Sequence, residues 1–143
     1  MPRRPPTALV LSLLVALALP AAALAARRVI SGHAGGSGEV DITLVTKNAK
    51  VKKLTRFEFN NIPASCAGSR PTAVSNAFPH TILVASDGKF HATAKQNGGR
   101  VTYTVSGHFK DQNHASGTLR VKGSVPGCAS ADSGRVRWTA KHN

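Results

Sequence analysis

The chain has 143 residues, and its 19 lysines and arginines against 6 aspartates and glutamates give a net charge of +13. Two cysteines with no histidine at ligand spacing cannot complete a four-ligand zinc site, and six carboxylates leave little for a paired-acid hydrolase. A surface this basic instead draws polyanions from a distance, an attraction that salt weakens.

In chain order, the first element is an export signal. Arg3 and Arg4 form a positive start, residues 8–19 (ALVLSLLVALAL) an apolar run, and Pro20 a helix break. Ala23-Leu24-Ala25 then gives the small-x-small cleavage pattern, so residues 1–25 read as a signal peptide. The apolar run is short for a membrane anchor and contains Pro20, so no transmembrane helix is expected after cleavage. Arg27 and Arg28 lie just past the site, where positive charge opposes translocation. Without Arg3 and Arg4 the net charge is +11. The mature length suits one domain with a modest core. Residues 26–37 are rich in glycine and alanine and are expected to be a flexible N-terminal segment, with an edge strand at SGHAG near Ser31 as the alternative.

Residues 38–143 read as a single all-β domain. VDITLVT (Val40 to Thr46) alternates roughly, and VKKLTRFEFNNI puts Phe57 and Phe59 on one face against Arg56, Glu58 and Asn60. ASCAGSRPTAVSNAFPH is irregular, and Pro71 and Pro79 predict a long loop with a short edge strand. FHATAKQ and RVTYTVSGHF alternate cleanly, the second with Val101, Tyr103, Val105, Gly107 and Phe109 inward. ASGTLRVKG and RVRWTAK repeat the scheme, with Leu119, Val121, Val136 and Trp138 inward. Such β-branched, alternating runs suit half-buried antiparallel strands. Ser86-Asp87-Gly88, Asn97-Gly98-Gly99, Asp111-Gln112-Asn113 and Pro126-Gly127 mark the reversals. Strands about 8 to 12 residues apart predict an antiparallel β-sandwich or up-and-down β-barrel of about 7–8 strands, and alternation alone fits both.

Cys66 and Cys128, an even count in an exported chain, predict one disulfide. The bridge closes 62 positions, worth about 4 kcal/mol on the loop-entropy model.

The stretch from Phe90 to Lys141 also resembles a family of small secreted β-domains common in actinobacteria and their relatives. The matching positions are Phe90, Val105-Gly107-Phe109, Ala115 to Val121, Cys128 and Trp138 to Ala140, with Phe57, Phe59 and Cys66 fitting more loosely. The resemblance implies export, an all-β fold and a Cys66–Cys128 bridge. It implies no activity and carries over no functional residues.

Templates for catalysis fail one by one. GGSGE around Ser37 is a glycine-rich segment without the strand-turn-helix of a nucleophile elbow, and there is no His-Glu-x-x-His helix. Asp87, Asp111 and Asp132 sit in turns, where such residues bond local backbone. Glu39 and Asp41 share one strand face, a weak cation site at best and more simply a solvated edge. His91 and His108 both face outward on strands joined by Asn97-Gly98-Gly99 and are the weak metal candidates. No cofactor is expected.

The sharpest surface feature is basic. Arg120, Lys122, Arg135, Arg137 and Lys141 fall on the outward parity of the last two strands and form one anion-binding stripe if those strands are neighbours. Specific nucleic-acid binding would add exposed aromatics, whereas Trp138 and Tyr103 have inward parity. The expectation is a non-enzymatic, monomeric β-domain, secreted or held in the cell envelope, contacting an anionic cell-wall or extracellular polymer. The alternatives are a small apolar-ligand carrier built as a barrel and an enzyme of unrecognised type.

Overall fold

A computed structural model describes residues 24–143. The expected signal peptide lies outside the described residues except for Leu24 and Ala25. Ten strands follow: β1 (Ala26–Ala34), β2 (Gly38–Lys47), β3 (Lys50–Cys66), β4 (Thr72–Ala77), β5 (Ile82–Leu83), β6 (Lys89–Gln96), β7 (Val101–Asp111), β8 (His114–Val125), β9 (Cys128–Asp132) and β10 (Val136–Lys141). Among the described residues no helix is long and apolar enough to cross a membrane.

Every ladder is antiparallel. Following them from β1 through β2, β3, β9, β8 and β10 leads back to β1, so the hydrogen-bonded sheet closes on itself. The architecture is therefore a barrel rather than a sandwich. β8 makes the closure possible because one of its edges serves two partners, β10 along His114–Leu119 and β9 along Lys122–Val125. β7 and β6 continue the wall from the other edge of β8, while β4 and β5 lie beside β3. Between β6 and these short strands runs a seam held by few bonds. The Ala85 N–H donates to the Lys89 carbonyl (2.8 Å), and Asn76 Nδ2 donates to Gln96 Oε1 (3.0 Å) and to the Tyr103 hydroxyl (2.8 Å).

The interior is filled by side chains. Inward positions alternate as the period of two requires, for example Val40, Ile42 and Leu44 on β2. Trp138 and Tyr103 are buried as their parity predicts, at 1% and 2% exposure. Trp138 packs edge-on against Phe57 with ring centres 5.5 Å apart, and Tyr103 does the same against Phe59 at 5.3 Å. Such contacts add about 0.5–1.5 kcal/mol each beyond the area they bury. Two glycines make room for the largest ring. Gly107 pairs with Phe90 on one side and Gly117 on the other, and Gly117 pairs with Trp138. A methyl at Gly117 would collide with the Ser106 carbonyl oxygen and come within 2.8 Å of Trp138 Cζ2. The indole thus folds over bare backbone, and Phe90 meets it from the far side at 6.1 Å.

Residues 26–37 correct an expectation. They were expected to be flexible, or at most an edge strand, yet β1 occupies most of them and is paired on both sides. It matches β2 along its full length and β10 over Ser31–Ala34. Ile30 and Ala34 anchor it inside the barrel. The glycine at position 32 serves close approach here, since a Cβ would meet the Thr139 carbonyl oxygen of β10. The irregular stretch ASCAGSRPTAVSNAFPH holds one short strand, β4, as expected, and the two-residue β5 follows just after it.

Cys66 and Cys128 form the expected disulfide, with Cα atoms 5.8 Å apart. It sits where β3 meets β9, the shortest ladder of the ring, with only two residue pairs, Ser65↔Asp132 and Cys66↔Ala131. A covalent link therefore reinforces the joint that hydrogen bonds hold least.

Candidate functional site

The basic stripe depends on the β8–β10 ladder, which forms with Val136 opposite Leu119 and Lys141 opposite His114. Arg120, Lys122, Arg135, Arg137 and Lys141 are all exposed. They do not act as one row, because Asp132 divides them. Its carboxylate accepts two hydrogen bonds from Arg120, at 3.1 Å from Nε and 2.7 Å from Nη2, and a third from the Gly134 N–H at 2.8 Å. The Arg120 donors, then that backbone N–H, hold the Asp132 carboxyl down at about 2, with the Arg120 and Lys122 charges adding to the effect. The same contact pushes the Arg120 guanidinium up. Lys122 stands directly opposite Asp132 across the β8–β9 ladder. Arg135 and Arg137 remain around the start of β10, and Lys141 stands apart at its end.

The turn aspartates bond local backbone as their positions suggest, and each also engages a basic side chain. Asp87 accepts the Lys89 N–H at 3.0 Å and pairs with its ammonium at 3.2 Å; the backbone bond, then the ammonium, draws its carboxyl below the usual range. Asp111 accepts the Asn113 N–H at 2.7 Å and faces the His114 ring at 3.0 Å, and these contacts, in that order, lower it too. On β3, Glu58 pairs with Arg56 at 2.7 Å. That Asp132 reaches Arg120 as well as its own turn was missed in the sequence, since twelve positions separate the two and only the β8–β9 hairpin brings them together.

This leaves unpaired charges of both signs among the described residues. Lys95, Lys110, Arg137 and Lys141 have no carboxylate at ion-pair distance, nor do Glu39 and Asp41 have a cation. The cations stand on β6, β7 and β10 among outward hydroxyls such as Thr93, Thr104, Ser106 and Thr118. His91 belongs to this face and is held by Ser106, Nδ1 to Oγ 2.7 Å, while His108 lies opposite Lys89. Among the described residues no three His, Cys, Asp or Glu side chains are grouped to hold a metal ion.

Glu39 and Asp41 meet two of these cations, Lys110 and Lys141, at a cup of about 560 Å³ on the outer wall, spanning β2, β1, β10, β8 and β7. Its volume falls within the usual range for small-molecule sites. Ser31, Ser116 and Thr139 line its floor, with Gly32 allowing β1 and β10 to close up beneath it. Glu39 and Asp41 stand on the β2 side, and Lys110 and Lys141 on the β7 and β10 side. The register places Lys141 opposite Ser31 and Ser31 opposite Asp41, so Lys141 lies two strand spacings from Asp41, about 10 Å, while Lys110 on β7 lies two strands further round the wall. Asp41 also faces Glu58 on β3, a like-charge pairing that costs the sheet modestly.

No protein-family model, no curated protein and no solved structure matches the chain.

Proposed function

We propose that the protein is an exported, non-enzymatic, monomeric binding domain whose basic wall contacts an anionic cell-wall or extracellular polymer. The carrying observation is the state of the acids around that wall. Asp87 and Asp132 are each engaged with a cation and a backbone N–H, and Asp111 with a backbone N–H and the His114 ring, while Arg137 and Lys95 have no carboxylate at ion-pair distance among the described residues. The wall carries a net positive surplus beside hydroxyls that donate to phosphate, sulfate or carboxylate oxygens. The disulfide supports an oxidising compartment, and the resemblance to secreted β-domains agrees with export. A lumenal carrier draws no support from an interior occupied by Trp138, Tyr103, Phe57 and Phe59. The aromatic residues named as potential stacking partners are buried, so specific nucleic-acid recognition draws none either.

The test is retention on immobilised polyphosphate across a salt gradient. The chain elutes late at low ionic strength, and the K122Q/R135Q/R137Q variant elutes at clearly lower salt. Arg120→Gln moves elution less than any of those three changes, because Arg120 is already committed to Asp132. Equal elution of the triple variant and the unaltered chain refutes the reading.

A further inference from the structure

From the cup on the outer wall we infer a second, separate site, one that takes a short peptide-like zwitterion with its primary ammonium at Glu39 and Asp41 and its carboxylate at Lys110 and Lys141. The inference does not rest on the polymer reading. It rests on charge arrangement. Opposite charges on adjacent strands pair elsewhere on this wall, as Arg120 and Asp132 do at 2.7 Å, whereas β1 holds the acids of β2 apart from the lysines of β10 and β7. Here four charged side chains line one concavity, and none has an ion-pair partner among the described residues.

The arrangement selects among ligands. A purely anionic ligand would meet Glu39 and Asp41, and a purely cationic one Lys110 and Lys141, so each is repelled by half the site. A ligand bearing both charges satisfies both rims. Asp41 and Lys141 lie about 10 Å apart at the backbone, which suits an extended chain of two to three residues at about 3.3 Å each, and Lys110 reaches the carboxylate end from the far side. No Phe, Tyr or Trp ring lines the cup, so nothing there resembles the cage that holds a quaternary ammonium; the carboxylates favour an ammonium with N–H donors, beside the imidazoles of His33, His108 and His114. Ser31, Ser116 and Thr139 on the floor offer hydroxyls to the ligand's peptide groups.

The experiment is a titration of the full chain, followed by amide NMR, with triglycine, N-acetyl-triglycine, triglycine amide and phosphocholine. Triglycine is expected to shift the amides of Ser31, Gly32, Ser116 and Thr139 saturably in the millimolar range, with each singly blocked peptide and phosphocholine at least tenfold weaker. The E39Q/D41N variant loses the preference for a free ammonium but keeps that for a free carboxylate, and K110Q/K141Q does the reverse. Arg137→Gln, which weakens polymer retention, leaves triglycine binding unchanged, so the two readings fail separately. Unsaturable shifts, or equal response to all four probes, overturn the inference. So does a double variant that keeps native amide dispersion and binds triglycine as the unaltered chain does.

Discussion

Two outer regions of this barrel use charge in opposite ways. At the β8–β9 corner Asp132 gathers Arg120, the Gly134 N–H and the field of Lys122 beside the Cys66–Cys128 bridge. At the cup, carboxylates on β2 and ammoniums on β7 and β10 stand apart over a floor of small hydroxyls. The corner pairs Arg120 with Asp132 within one hairpin, so that pair is neutralised before any partner arrives and only Lys122 keeps an open charge there. The cup draws on strands far apart in the chain and leaves its charges open. The lesson is that the formal charge of a surface says little until internal pairing is subtracted, and that binding capacity lies in what remains.

The largest test of this contrast removes the bridge. A C66A/C128A variant is expected to lose about 4 kcal/mol in urea unfolding, measured by tryptophan fluorescence, because the corner is where the ring is held. A loss under about 1 kcal/mol would mean that the two-pair β3–β9 joint suffices without the covalent link.

The next test is acid. Asp132 has a depressed carboxyl in the folded chain, at about 2, against about 3.9 in an unfolded one. The stability it contributes is therefore fully present above about pH 4 and is lost as pH falls towards 2. With both partners substantially exposed, solvent screening keeps Asp132→Asn to about 1 kcal/mol or less at neutral pH. The variant's stability should fall less steeply between pH 4 and pH 2 than that of the unaltered chain. Parallel acid curves for the two proteins would remove Asp132 from the account.

The smallest effect is expected at the cup. Glu39→Gln and Asp41→Asn should each change stability by less than about 0.5 kcal/mol, since neither carboxylate has a partner to lose. A loss above 1 kcal/mol would show that these acids serve the fold, and the contrast between the two regions would collapse.

Much of the fold is legible in the residues. The period of two in RVTYTVSGHF and RVRWTAK places Tyr103 and Trp138 inside, and the turn aspartates find the backbone groups their positions suggest. Two cysteines leave one intramolecular pairing. Barrel closure is not legible, because alternation reports which face is buried and says nothing about which strand comes next. The misreading of residues 26–37 has the same root. Glycine suggests freedom when seen alone, whereas Gly32 is there because β10, more than a hundred positions later, must come close. The cup follows from that closure. β1 must lie between β2 and β10 before Asp41 and Lys141 share a row, so no local spacing in the sequence could have joined them.

The bridge at the narrowest ladder also bears on how the chain behaves in company. A closed ring hides the N–H and C=O groups of most of its strands from other chains. If β3 and β9 part at their two-pair joint, β9 and the end of β3 become bare edges, ready to template pairing with a second molecule. The disulfide then acts as a guard against aggregation. Under reducing conditions the expected failure is self-association through opened edges, with most of each chain still folded.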